Sequence, residues 1–142
     1  MIEVELARLL ISDIRPLQMV VLKEKAGTRS FPIFIGPAEA WAINRGLKGE
    51  AFTRPLTHDL LASVITGLGG RLERVVVSDL RQETYYAKLF IHRNGGSIEV
   101  DSRPSDAIAL ATQVQAPIFV EEHVLEAASG STGEAPETPV DE

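Results

Sequence analysis

The chain repeats itself, and no other feature of the sequence limits its fold as strongly. Leu6 to Arg15 reads LARLLISDIR and Leu72 to Arg81 reads LERVVVSDLR, an offset of 66 residues with five of ten positions identical. Apart from Ala7 against Glu73, the other positions exchange one branched aliphatic for another. That preserves the alternation of a β-strand and an exit turn at Ser-Asp. A second match follows at an offset of 67, where Pro37-Ala38-Glu39-Ala40-Trp41-Ala42-Ile43 aligns with Pro104-Ser105-Asp106-Ala107-Ile108-Ala109-Leu110. One inserted loop residue reconciles the offsets. Between these anchors lie strand-like Met19 to Lys25 and Ser30 to Ile35 in one half, Tyr85 to His92 and Ser97 to Asp101 in the other. The turns Ala26-Gly27-Thr28 and Asn94-Gly95-Gly96 separate them. Each half thus reads strand, strand, strand, helix, with hairpins that imply antiparallel pairing; chance similarity between short β segments is the alternative.

The predicted fold is α+β, with internally duplicated β-β-β-α units (about 6–49 and 72–116) forming a mostly antiparallel sheet or half-barrel. The two units are expected to pack together around a pseudo-twofold axis. Both repeated helices begin with proline at the first helical position and carry an acid two residues later, which suits proline's fixed φ and the positive end of the helix dipole. An additional helix lies between the repeats, where Leu60, Leu61, Val64, Ile65 and Leu68 share one face. After the second repeat, Ala116 to Val120 reads as a short apolar strand and Glu121 to Ala128 as one or two helical turns. Residues 1–128 form one domain on this reading. Residues 129–142, SGSTGEAPETPVDE, have almost no large apolar side chain to offset their ordering entropy and read as a disordered acidic tail.

Cysteine is absent, which excludes disulfides, thiolate nucleophiles and Cys-based metal sites and makes a reducing cytoplasm the expected location. The first residues carry acid and no long apolar run, unlike a signal peptide, and no run approaches the ~18 residues of a membrane helix. The formal net charge is -6, which argues against holding nucleic acid by bulk electrostatics. Much of it is local: Glu121 to Glu142 holds seven of the 20 acids and no Lys or Arg, leaving 13 acidic against 14 basic residues elsewhere.

Three blocks, PIFIGPAEAWAI (Pro32 to Ile43), RPLTHDLL (Arg54 to Leu61) and DSRPSDAIALA (Asp101 to Ala111), resemble the signature blocks of the bifunctional nuclease domain family. Their order and spacing match, the YYAKL segment from Tyr85 to Leu89 sits where that family has a similar strand, and the likeness spans nearly all of Met1 to Leu125. It implies hydrolysis of phosphodiester bonds in DNA, RNA or both, after plant members of that description. A fold likeness does not carry chemistry across without site residues.

Phosphodiester hydrolysis needs a metal held by carboxylates, or a His base with a cation for the developing charge. The blocks hold both kinds of group. Asp101 and Asp106, with Glu39 or Asp59, would offer oxygen ligands to Mg²⁺ or Mn²⁺. In structural terms the same residues are a strand-end acceptor (Asp101), helix N-terminal acids (Asp106, Glu39) and ion-pair partners of Arg103. His58 and Asp59 are adjacent on a helix and diverge by about 100°, so any relay through His58 must recruit a distant partner. Otherwise Thr57 and Asp59 serve the helix start and His58 bonds a neighbouring strand or subunit. Arg54 and Arg103 each precede a proline at a helix start, where a guanidinium and free N–H groups can receive phosphate, with Ser105 beside them. Ser105 lacks a nucleophile-elbow sequence, so acyl transfer is not expected. Trp41 reads as a core or subunit-contact residue rather than a base-stacking platform, and at most one of Tyr85 and Tyr86 faces a cleft.

Two functions follow. The first is a nuclease, with divalent-metal assistance, acting on flexible or single-stranded DNA or RNA; His58, Asp59, Asp101 and Asp106 are its catalytic candidates, Arg54, Arg103 and Ser105 its substrate contacts, and Asp101, Asp106 and Glu39 its metal ligands. The second is a non-catalytic homodimer binding a protein partner or small anionic ligand. Apolar helices such as Ala38 to Leu47 favour self-association in either case, and no membrane partner is expected.

Overall fold

A computed structural model describes residues 1–12, 17–50 and 52–130. These form β1 (Ile2–Ile11), β2 (Gln18–Glu24), β3 (Ser30–Ile35), α1 (Pro37–Lys48), α2 (Thr57–Gly67), β4 (Arg71–Arg81), β5 (Thr84–Arg93), β6 (Gly96–Ser102), α3 (Pro104–Val114), β7 (Ile118–Val120) and α4 (Glu122–Gly130). The succession β-β-β-α occurs twice, with α2 between, as the sequence predicts. Residues 129 and 130 complete α4; the remainder of the expected tail lies outside the described residues.

The strands form one sheet in the order β3-β2-β1-β7-β4-β5-β6. All pairings are antiparallel except that of β7 with β4. Here the structure corrects the expectation of two three-stranded units packed against each other. Short β7 inserts between β1 and β4, with Ile118 opposite Val4 on one side and Val75 on the other, and joins the halves edge to edge. The strand order reads alike outward from β7, and β1 runs antiparallel to β4, while β7 pairs antiparallel on one side and parallel on the other.

The repeat match also locates the bends. β1 is bulged between Leu6 and Arg8, and β4 between Leu72 and Arg74. The residues skipped are Ala7 and Glu73, the one pair that breaks the aliphatic match. A bulge bends its strand and increases its twist, and the sheet curls accordingly. The Phe31 ring on β3 lies 5.6 Å from that of Tyr85 on β5, although β2, β1, β7 and β4 stand between them in the sheet. Inside the curl, Val20, Leu22, Phe31, Ile33, Val75, Val77, Ala87 and Leu89 meet Ile43 of α1, Ile108 and Leu110 of α3, and Val124 and Leu125 of α4.

α1 and α3 start alike, with Gly36 and Arg103 at their N-caps and proline in the first turn. They pack closely where α1 offers Gly46. A Cβ there would stand 2.7 Å from Thr112 Oγ1 and 3.4 Å from the Gln113 backbone nitrogen, so only glycine permits this approach. α2 behaves otherwise. Most of its predicted apolar face stays out of the core: Leu60, Leu61, Val64 and Leu68 are exposed, and no residue of the helix is fully buried. Ala62 and Ile65 alone lean on the cluster from α2.

Candidate functional site

The helix starts bring the polar residues of the three blocks together. Glu39 lies in the first turn of α1, Thr57 and His58 open α2, and Ser105 and Asp106 follow the N-cap Arg103 of α3. All six border one cavity of about 650 Å³, walled by Ala38, Trp41, Ala42 and Arg45 of α1 and by Pro55, Leu56 and Leu60. Residues from the first turns of three helices thus border one space, together with one side of α1 as far as Arg45. A second cleft of about 600 Å³ lies behind Glu39, Arg103 and Ser105, bordered by Phe34, Ile35 and Tyr85. Tyr86, on the opposite face of β5, carries the Arg81 guanidinium 4.1 Å above its ring instead.

A chain of charged groups spans the cavity. His58 Nε2 is 3.1 Å from Asp106 Oδ1. The other oxygen of Asp106 accepts from Arg103 Nε at 2.9 Å, and Arg103 also donates through Nη1 to Glu39 Oε2 at 3.1 Å. Glu39 first, then Asp106, hold the Arg103 guanidinium still more firmly protonated than usual. Its side chain remains 62% exposed, and these bonds leave N–H hydrogens of the fork unused. His58, by contrast, is 14% exposed. The distant partner that a His58 relay requires is therefore Asp106. In the tautomer that directs Nε2–H at Asp106, the lone pair sits on Nδ1.

Asp59 belongs to a different structure. One oxygen accepts the Leu56 backbone N–H at 2.8 Å, closing the start of α2; the other meets Arg45 Nη2 at 3.2 Å and the Gln113 side chain. The Leu56 N–H, then Arg45, then Gln113 hold its carboxyl below the usual range. Arg45 is 4% exposed, lies 5.4 Å from the Phe52 ring, and has no hydrogen-bond partner for Nε among the described residues. Arg45, Asp59 and Gln113 come from α1, α2 and α3, so the cluster bolts the three helices together beside the cavity. The sequence reading missed Arg45 and Gln113, because nothing local distinguishes a basic residue in the last turn of a helix from a solvated one.

Two candidates stand apart. Arg54 is exposed and does not border the cavity. Asp101 is exposed on edge strand β6, in register with Lys88, and Arg103 pairs with Glu39 and Asp106 rather than with it. The expected Mg²⁺ or Mn²⁺ set of Asp101, Asp106 and Glu39 is thus not gathered; among the described residues no group of three His, Asp or Glu is placed to hold a metal. Glu39 and Asp106 are bridged by the Arg103 guanidinium instead.

Comparison with known proteins bears on what this arrangement serves. The family model described as the bifunctional nuclease domain matches residues 20–132. An uncharacterized protein of Mycobacterium tuberculosis is 46% identical over 107 residues, 75% of this chain and 63% of that protein. Bifunctional nuclease 1 of Arabidopsis thaliana is 28% identical over 116 residues (79% of this chain, 36% of that protein), and bifunctional nuclease 2 of Oryza sativa subsp. japonica 28% over 114 (78% and 35%). The chain therefore spans less than two thirds of the first of these relatives and about a third of the plant proteins.

Proposed function

Because this chain belongs to the bifunctional nuclease domain family, we propose that it hydrolyses phosphodiester bonds, with His58 as general base, Asp106 as the group that orients it, and Arg103 as the phosphate contact. One observation carries the reading: the His58–Asp106 pair at 3.1 Å borders a cavity together with Arg103, which bonds the other oxygen of Asp106. Bulk charge does not recruit a polyanion to a protein of net charge -6; in this reading a phosphate is received locally, by the N–H hydrogens of exposed Arg103 that Glu39 and Asp106 leave unused.

In the proposed reaction His58 Nδ1 removes a proton from water as its oxygen bonds to phosphorus. The P–O bond to the leaving sugar oxygen breaks, and the imidazolium returns the proton to that oxygen. Arg103 balances the charge that develops on the non-bridging oxygens. DNA lacks a 2′-hydroxyl, so water is the nucleophile that serves both nucleic acids. Glu39 and Asp106 are committed to Arg103, and no step is assigned to a metal.

Purified protein is expected to cut end-labelled single-stranded DNA and RNA, and to do so after chelation of divalent cations. His58→Ala should lower the rate by roughly 10²- to 10⁴-fold, the range of general-base catalysis, with Asp106→Asn close behind. Cutting indifferent to both substitutions would refute the assignment. A second reading, a homodimeric binding module, draws on the exposed Leu60, Leu61, Val64 and Leu68 of α2, a face that self-association would cover.

A further inference from the structure

The α1 wall of the cavity is a single helical stripe: Ala38, Trp41, Ala42 and Arg45 occupy positions i, i+3, i+4 and i+7. Trp41 is the chain's only tryptophan and keeps 51% of its surface exposed, so of the two expected places, core or subunit contact, it does not take the core one. Its ring meets Phe52 edge-on, with centroids 6.0 Å apart and planes at 61°. Small Ala38 and Ala42 flank it. Beyond its contact with Phe52, about half of the indole stays open on the wall of the cavity that His58 and Asp106 also border.

We infer that Trp41 is the platform on which one base of the substrate stacks while the adjoining phosphate rests at Arg103 and His58. This rests on the phosphodiester reading and adds to it the residue that positions the unpaired base of a single strand. The occupant is named by the two halves of the cavity. The Arg103 fork recognises a phosphate, and the indole offers a plane to an uncharged aromatic ring. About 650 Å³ holds one nucleotide. A paired base has both faces covered by its neighbours and presents none to Trp41. Stacking on a π-face is indifferent to base identity, which suits an enzyme acting on more than one nucleic acid.

The test uses the full chain, an oligothymidylate, and an abasic deoxyribose-phosphate oligomer of equal length. Oligothymidylate should quench the tryptophan emission saturably and the abasic oligomer should not. By anisotropy with a labelled strand, Trp41→Ala should weaken oligothymidylate binding roughly 5- to 150-fold, the range for loss of one base–aromatic stack, and leave abasic binding unchanged. Trp41→Phe should recover most of the loss; circular dichroism checks that each variant folds. Equal weakening for both oligomers would overturn the inference, because Trp41 would then act through the backbone contact or the fold. Wild-type affinity in Trp41→Ala, with cutting intact, would overturn it while leaving the hydrolase reading standing. No binding and no cutting by the wild-type chain would sink both. Emission that shifts with protein concentration alone, together with dissociation of the Trp41→Ala variant, would assign the indole to a second copy of the chain and also overturn it.

Discussion

His58 and Asp59 are neighbours in sequence and serve separate structures, because a helix turns consecutive side chains about 100° apart. His58 faces Asp106 across the cavity, while Asp59 holds the start of α2 and the buried Arg45. The separation gives Asp59 a stability role that can be measured apart from catalysis. Removing its carboxylate leaves a guanidinium 4% exposed without its counter-ion, and breaking a buried pair from one side costs about 3–5 kcal/mol. Asp59 is itself partly solvated, so Asp59→Ala is expected to lower the unfolding free energy by about 2–4 kcal/mol in urea titrations. Replacing both partners, Asp59→Leu with Arg45→Met, should recover much of that loss, since an apolar pair leaves no unmatched charge. A double variant no more stable than Asp59→Ala would show that the loss comes from the helix start and not from Arg45.

Among the elements, the hairpins show what a sequence discloses and what it withholds. Asn94-Gly95 is a primed-turn signal, and both residues do take positive φ, 53° and 77°. The β4–β5 turn uses the same backbone without the signal: Gln82 and Glu83 stand at φ 50° and 66°, where side-chain-bearing residues are strained. Gln82→Asn with Glu83→Gly should therefore raise the melting temperature, with a gain of about 0.5–1 kcal/mol; no gain would mean that packing at the turn outweighs the backbone term. The β-β-β-α succession was legible because strand alternation and proline-led helix starts are local patterns. The insertion of β7 between the halves was not, since three apolar residues do not declare their neighbours. Nor was the exposure of α2, because a helical stripe of leucines looks the same whether it meets the core, a partner or solvent. For the site, Glu39, Arg103, Asp106 and His58 could be named from their places at helix starts. That Asp101 lies away from this cavity and Trp41 on its wall is set by the tertiary arrangement, which no local pattern declares.

At the scale of the molecule, Arg29 ties the β2–β3 hairpin at one end of the curled sheet to α4. Arg29, just before β3, donates to Glu24 of β2 at 2.9 Å and to Glu122 of α4 at 2.8 Å, while its backbone N–H donates to Glu24 at 3.0 Å. The edge hairpin is thereby tied to the helix that follows β7 and buries Val124 and Leu125 in the core. The Arg29 side chain first, and its backbone N–H next, lower the Glu24 carboxyl from 4.5 to about 2; Arg29 likewise lowers Glu122. A carboxylate depressed by folding contributes stability that is complete above its unfolded value and disappears as pH falls through the folded one. The Glu24 contribution is accordingly whole above pH 4.5, fades between 4.5 and about 2, and is gone below. Glu24→Gln removes the charge while keeping an acceptor for the backbone N–H. Thermal melts of the two proteins should differ at pH 6, with the wild type higher, and converge as pH approaches 2. Since the second cleft lies between β3 and β5, the variant should also show faster hydrogen exchange in β3 than in β1 at pH 6. A constant difference between the melts from pH 6 to pH 2 would mean that Glu24 acts through its shape and not its charge, and the ionic tie at Arg29 would be wrong.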